Sequence, residues 1–222
     1  MTWLGFAGIF FLFFVTHSVP VRPTIKARII ARLGAAGFGI GYSVLSIAML
    51  ALLIWATGEA PFVEVWPQMN WHRHAAHLCM LAACLTLALS IARPNPFSFG
   101  GMHAERFDPE RAGIIRYVRH PILFALALWA GAHMLPNGDL AHLLLFGVLG
   151  AFAIMGRRLI NRRKQREFGM ERWAAINSAV ARAPLLHAPT SWGGTVFRVG
   201  LGIAAFASLL VLHPIVIGVS VL

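Results

Sequence analysis

Six apolar segments, at residues 3–19, 38–57, 75–92, 117–135, 140–156 and 196–219, are the feature that most restricts how this chain can fold. A bilayer core takes ~20 apolar residues per helical crossing. Inside hydrocarbon, each such segment must satisfy its own backbone N–H and C=O groups, which selects the α-helix for runs of this kind. The expected fold is therefore all-α, a polytopic membrane protein with a bundle of about six transmembrane helices in one integral membrane domain over residues 1–222. Only 12% of the residues are charged, about half the share in a soluble domain. The apolar core of the fourth segment, 122–135, is short, so its helix is expected to begin before Arg119. No Lys or Arg precedes the first segment and no small-x-small site follows it before Arg22, so it reads as a retained span rather than a cleaved signal.

The net charge of +11 invites a nucleic-acid reading, but the placement of the charge argues against one. Arg22–Arg32 follow the first span, Arg93–Arg119 the third, and Arg157–Arg182 the fifth. The segment after the second span carries Glu59, Glu64 and only Arg73, and the turn before Leu140 has only Asp139. This alternation follows the positive-inside rule. It predicts basic loops in the cytoplasm and both termini outside. The expected partners of the arginines are the anionic headgroups of the lipid bilayer, with no nucleic acid. In the last basic loop, Arg162–Met170 precede Trp173, Ile176 and Val180 at helical spacing, which predicts a basic amphipathic cytoplasmic helix on the inner leaflet.

Histidines are the candidates for chemistry. The stretch Arg119–Asp139 opens on Arg-His-Pro, runs apolar, and carries His133 ahead of a Pro-Asn-Gly-Asp turn. An ionisable residue in an apolar helix marks a functional site by default, and an unpaired imidazole there costs several kcal/mol. Ala130, Gly131 and Ala132 leave room beside it for a flat ring. With the predicted topology, His17 and His120 lie at the inner level. His77 and His133, with His142 or His213, lie at the outer level. His17, Arg22, Arg119 and His120 are expected to converge around an anionic group, because Arg grips such groups bidentately. His74 and His77 share a helix face, but Cys79 and Cys84 do not form a CxxC pair, so a zinc site is not indicated. His103, on a basic loop, serves as the solvated contrast. Gly37 and Gly41 form a GxxxG pair suited to close helix packing.

Three motifs in order, THSVPVRP at His17, YVRHP at His120 and WAGAHMLPNGD at His133, resemble the NnrU family of bacterial membrane proteins, named for an association with nitrite and nitric-oxide reduction. That family is similar to the cis-zeta-carotene isomerases of plants and cyanobacteria, which carry haem b. The resemblance implies a bacterial inner membrane location and haem b as cofactor, with axial ligation at the positions matching His17 and His133. Depth along the spans resists that pair, because two axial nitrogens lie ~4 Å apart, twice a metal–nitrogen bond of ~2 Å. The outer pair His77 and His133 is the alternative. A more distant resemblance joins Tyr117–Pro121, Phe168-Gly169 and Ala183-Pro184 to the isoprenylcysteine and phospholipid methyltransferases, which use S-adenosylmethionine and a carboxylate pair before Phe-Gly. Leu159–Arg162 carries no acid here, which argues against methyl transfer. The competing functions are a haem protein with redox or isomerase chemistry on a lipid-soluble small molecule, an accessory or transport protein of denitrification, and a membrane methyltransferase.

Overall fold

The structure, a computed structural model, describes residues 1–98, 104–185 and 188–221. Over these residues the chain is helical and holds no β-strand: α1 (Trp3–Ser18), α2 (Pro23–Gly58), α3 (Asn70–Ser90), α4 (Ile114–Tyr117), α5 (Pro121–Met134), α6 (Leu140–Phe168), α7 (Met170–Arg182) and α8 (Trp192–Val216). Helices α2, α3, α6 and α8 are long and apolar enough to cross a membrane, and α1 and α5 are shorter apolar helices. The protein is an all-α membrane protein, as its hydropathy requires.

Single residues decide where the helices differ from the apolar segments. The basic stretch after Pro23 is helical too, and it meets the apolar part of α2 at a kink where Gly34 adopts φ 73° and ψ 168°. Only glycine takes that left-handed backbone without steric cost. The fourth helix does not begin before Arg119. It starts at Pro121, because His120 (φ −120°, ψ 73°) is the residue before a proline and is kept out of helical geometry. The expected span 117–135 is thus a helix of 14 residues, ~21 Å long at the helical rise. The fifth runs on through the arginines to Phe168, and Gly169, at φ 78°, separates it from α7.

The chain forms two compact units, one of residues 1–67 with 138–145, the other of residues 68–137 with 146–221. In the first, α1 packs on α2 around Phe6, Ala56 and Ala141, with Trp3, Ile9 and Phe10 against them. The Met1 ammonium donates to the Glu59 carbonyl at 2.7 Å. Residues 63–66 lie against the turn before α6. The Gly138 carbonyl accepts from Val65 and Trp66, and Leu140 donates to Val63.

In the second unit, α3 packs on both α5 and α8. Gly202 of α8 makes the close approach, since a Cβ there would meet Leu85 and Ala88 at 3.0–3.2 Å. The GxxxG pair does not serve this purpose: Gly41 faces open space, and Gly37 meets only Leu33 of its own helix. Helix α7 does form, and what covers its apolar face is a core from the basic loop. Trp173 and Val180 pack with Phe97, Ala112 and Ile115, and the Trp173 and Phe97 rings meet edge to face at 5.6 Å. Arg116 donates to the Val180 and Ala181 carbonyls, and the Tyr117 hydroxyl to that of Leu185. Trp173 is 7% exposed. Trp173→Ala should therefore cost ~3–5 kcal/mol, read as a lower thermal midpoint in detergent. An unchanged midpoint would mean that α7 is held by something other than this core.

Candidate functional site

Helix α5 carries His133 one residue before its end, and the Asn137 amide donates to the His133 carbonyl at 2.8 Å, closing the helix. His133 Nδ1 lies 2.8 Å from the Trp129 carbonyl. A carbonyl can only accept, so Nδ1 carries the proton and the neutral ring has its lone pair on Nε2. His213 of α8 repeats the arrangement, with Nδ1 donating to the Val219 carbonyl at 2.8 Å. The chain reaches that carbonyl because α8 ends at Val216 and turns through Gly218 at φ 81°.

The two rings are neighbours. Their centroids are 6.3 Å apart and their planes differ by 29°. Trp129 (5.2 Å) and Phe146 (4.9 Å) enclose the His133 ring on other sides. Metal-binding histidines hold their second nitrogen on a carbonyl or carboxylate in this way, which fixes tautomer and orientation. With a metal–nitrogen bond of ~2 Å and half a ring beyond each nitrogen, two axial imidazoles centre ~6 Å apart. The centroid separation is close to that figure, while the contact itself is a stacked one with near-parallel planes. The small residues do not leave room for a flat group beside His133: Ala130 and Ala132 are 1% exposed and packed, and the open space at Gly131 lies on the other side of α5, since residues two apart do not share a helix face. Among the described residues, no cluster of three or more His, Cys, Asp or Glu could hold a bare ion.

Of the other histidines, His77, His72 and His142 have partners of their own. His77 Nε2 donates to the Val221 carbonyl at 2.9 Å, and its ring lies edge-on to Phe206. It therefore shows the opposite tautomer to His133 and His213. His72 caps α3 by accepting from the Met69 N–H. His142 pairs with Asp139 at 2.6 Å, and the same carboxylate caps α6 at the N–H groups of Ala141 and His142. His103 lies outside the described residues.

The four residues expected to converge fall two in each unit. In the first, the His17 ring lies 4.1 Å from Phe13 and 5.8 Å from Tyr42, whose hydroxyl donates to the His17 carbonyl. Arg22 is the exposed residue before α2. In the second, His120 is 3% exposed. Its Nε2 bonds Asn161 Oδ1 at 3.0 Å, while Nδ1 is buried with no hydrogen-bond partner among the described residues. Arg119 lies over the Phe97 ring at 5.3 Å and receives the Asn95 amide on its carbonyl. Asn161 stands where the methyltransferase resemblance calls for acid, and it is engaged with His120 instead.

Sequence reasoning gave His213 and Asn161 no role of their own. The signal for His213 is that it is the one ionisable residue in the last turn of α8. Asn161 offers none. The family model described as NnrU protein matches residues 5–221. No curated protein and no solved structure matches the chain.

Proposed function

The chain belongs to the NnrU family, and from that premise we propose that it is a haem b-binding protein of the bacterial inner membrane, acting by redox or cis–trans isomerase chemistry on a lipid-soluble substrate. The observation that carries this reading is the matched pair His133 and His213. Both rings are held by Nδ1 on a backbone carbonyl, and their centroids lie 6.3 Å apart. His133 and His213 are the residues that would hold the iron, imidazole being a common haem ligand. When bound there, the iron would supply one-electron chemistry. The protein's part is to fix both imidazoles through Nδ1 and to pack the His133 ring between Trp129 and Phe146. His17 and His77, the other candidate ligands, become arms of the test.

Detergent-purified protein should show a Soret band and contain one haem b per chain. A colourless preparation that takes up no added haemin would overturn the reading and favour an accessory role in nitrogen-oxide metabolism.

The same proposal sets the topology: multi-pass, both termini periplasmic, with the arginine-rich segments facing anionic headgroups on the cytoplasmic side. A Gln68→Cys variant should react with an impermeant thiol reagent in intact cells, and an Arg182→Cys variant only after permeabilisation. The reverse pattern would contradict this orientation.

A further inference from the structure

Arg198 is the charged residue of α8. It stands six residues past the helix start, ~9 Å along the axis at the helical rise. An arginine inside an apolar helix is costly and marks an ion site unless it is fully partnered. The hydrogen bonds of Arg198 go to carbonyls, from Nη1 to Gly194 of its own helix at 3.1 Å and from Nε to Ile91 at 3.3 Å. Ile91 directly follows α3, and two residues further on is a second guanidinium, that of Arg93.

Arg93 is boxed in. Its guanidinium covers Gly113, where a Cβ would lie 3.6 Å from Nη1 and where φ is +57°. Its Nε is buried and has no hydrogen-bond partner among the described residues. Burial, and after it the charge of Arg198, pulls the Arg93 guanidinium below its ordinary value. The carboxylates that form ion pairs do so elsewhere: Glu105 with Arg106, Glu167 with Arg163 and Lys164, and Asp139 with His142. Two half-buried cations thus lie near one another, and among the described residues no ion pair joins either of them to a carboxylate. A fixed arrangement of this kind is repulsive until an anion lies against both.

We infer that Arg93 and Arg198 form a binding site for a phosphate group, supplied by a phospholipid headgroup or by free phosphate. The guanidinium fork matches phosphate oxygens two at a time. The site also sits where α3 ends and α8 begins, two helices of membrane-crossing length, which is the depth of lipid phosphates. It involves neither His133 nor His213, so it stands or falls apart from the haem reading.

The test uses the full chain, delipidated in detergent, with three probes: dioleoylphosphatidylglycerol, inorganic phosphate, and dioleoylglycerol as the phosphate-free control. Binding of phosphatidylglycerol alone assigns the lipid source, and binding of inorganic phosphate that competes with it assigns the soluble one. In either case Arg93→Gln and Arg198→Gln should weaken binding about ten- to a hundredfold, the range for losing a hydrogen bond to a charged group. Arg182→Gln, at an exposed arginine, should bind as the wild type does. Should the glutamine variants not fold, Arg198→Lys keeps the charge and loses the fork, and its affinity should fall between those limits. Wild-type protein that binds neither phosphate probe, or folded variants that bind as well as wild type, would overturn the inference.

Discussion

Gly138→Ala is expected to leave little folded protein to purify. A Cβ at this position would overlap the Trp66 carbonyl oxygen and come within 2.7 Å of Trp66 Cδ1 and 3.0 Å of the Trp66 carbonyl carbon. The neighbour is backbone, so no rotamer change relieves the overlap. Nor can the two strands of chain slide apart without cost. The Gly138 carbonyl accepts from Val65 at 2.7 Å and from Trp66 at 3.1 Å, and Leu140 donates to Val63 at 2.9 Å. An isolated antiparallel bridge joins Glu64 to Asp139 in the same place. Losing three backbone bonds at ~1 kcal/mol net each and adding ~1–3 kcal/mol of overpacking gives ~4–6 kcal/mol, comparable to the whole stability of a modest domain. Yield of monodisperse protein and thermal midpoint in detergent are the measurements. Gly39→Ala is the control, since Gly39 faces open space within α2 and alanine favours helix there by ~1 kcal/mol. If the two variants melt alike, the Trp66–Gly138 contact is not part of the fold.

The second large effect concerns haem retention. His133→Ala and His213→Ala should each lose more haem affinity than the ~10–100-fold that removal of a mere outer partner costs a metal site. Each deletes a ligand while leaving its helix intact. Alanine is a better helix former than histidine, so the variants should stay folded, and the far-ultraviolet spectrum should be that of wild type. Added imidazole should restore the Soret band most readily in His213→Ala, because the His213 ring is the less buried of the two neighbours that would frame the gap. His77→Ala should retain haem, because Nε2 of His77 is committed to the Val221 carbonyl.

The membrane helices were legible because hydropathy averages over some twenty residues and survives local irregularity. Their ends were not, since each is set by one residue's backbone: Gly34 at the α2 kink, Pro121 at the start of α5, Gly169 at the end of α6. His133 was legible for the same energetic reason that makes it costly, an imidazole in an apolar run. Its neighbour His213 was placed at the outer level and given no role, because only the packing of α3 with α5 and α8 brings the two rings together. Amphipathic spacing in α7 correctly signalled a helix with one buried face. The spacing of Trp173, Ile176 and Val180 is the same whether a leaflet or the Phe97–Ile115 core covers that face. The glycines teach a similar lesson. Gly37 and Gly41 have the motif, whereas Gly202, with no motif around it, is the one against which α3 packs. Asn161 carries no signal of its own in the sequence, because an amide within a helix has many uses and its bond to His120 spans two distant segments of the chain.

Electron paramagnetic resonance of the ferric protein tests the histidine pair most directly, since it reports how many strong axial ligands the iron has. Wild type should give a low-spin signal of two imidazoles. His213→Ala and His133→Ala should each convert it to a high-spin, singly ligated one or lose it, with His17→Ala and His77→Ala unchanged. A wild-type haem that is high-spin, or a low-spin signal that survives in His213→Ala and disappears in His17→Ala, would contradict the assignment of His133 and His213.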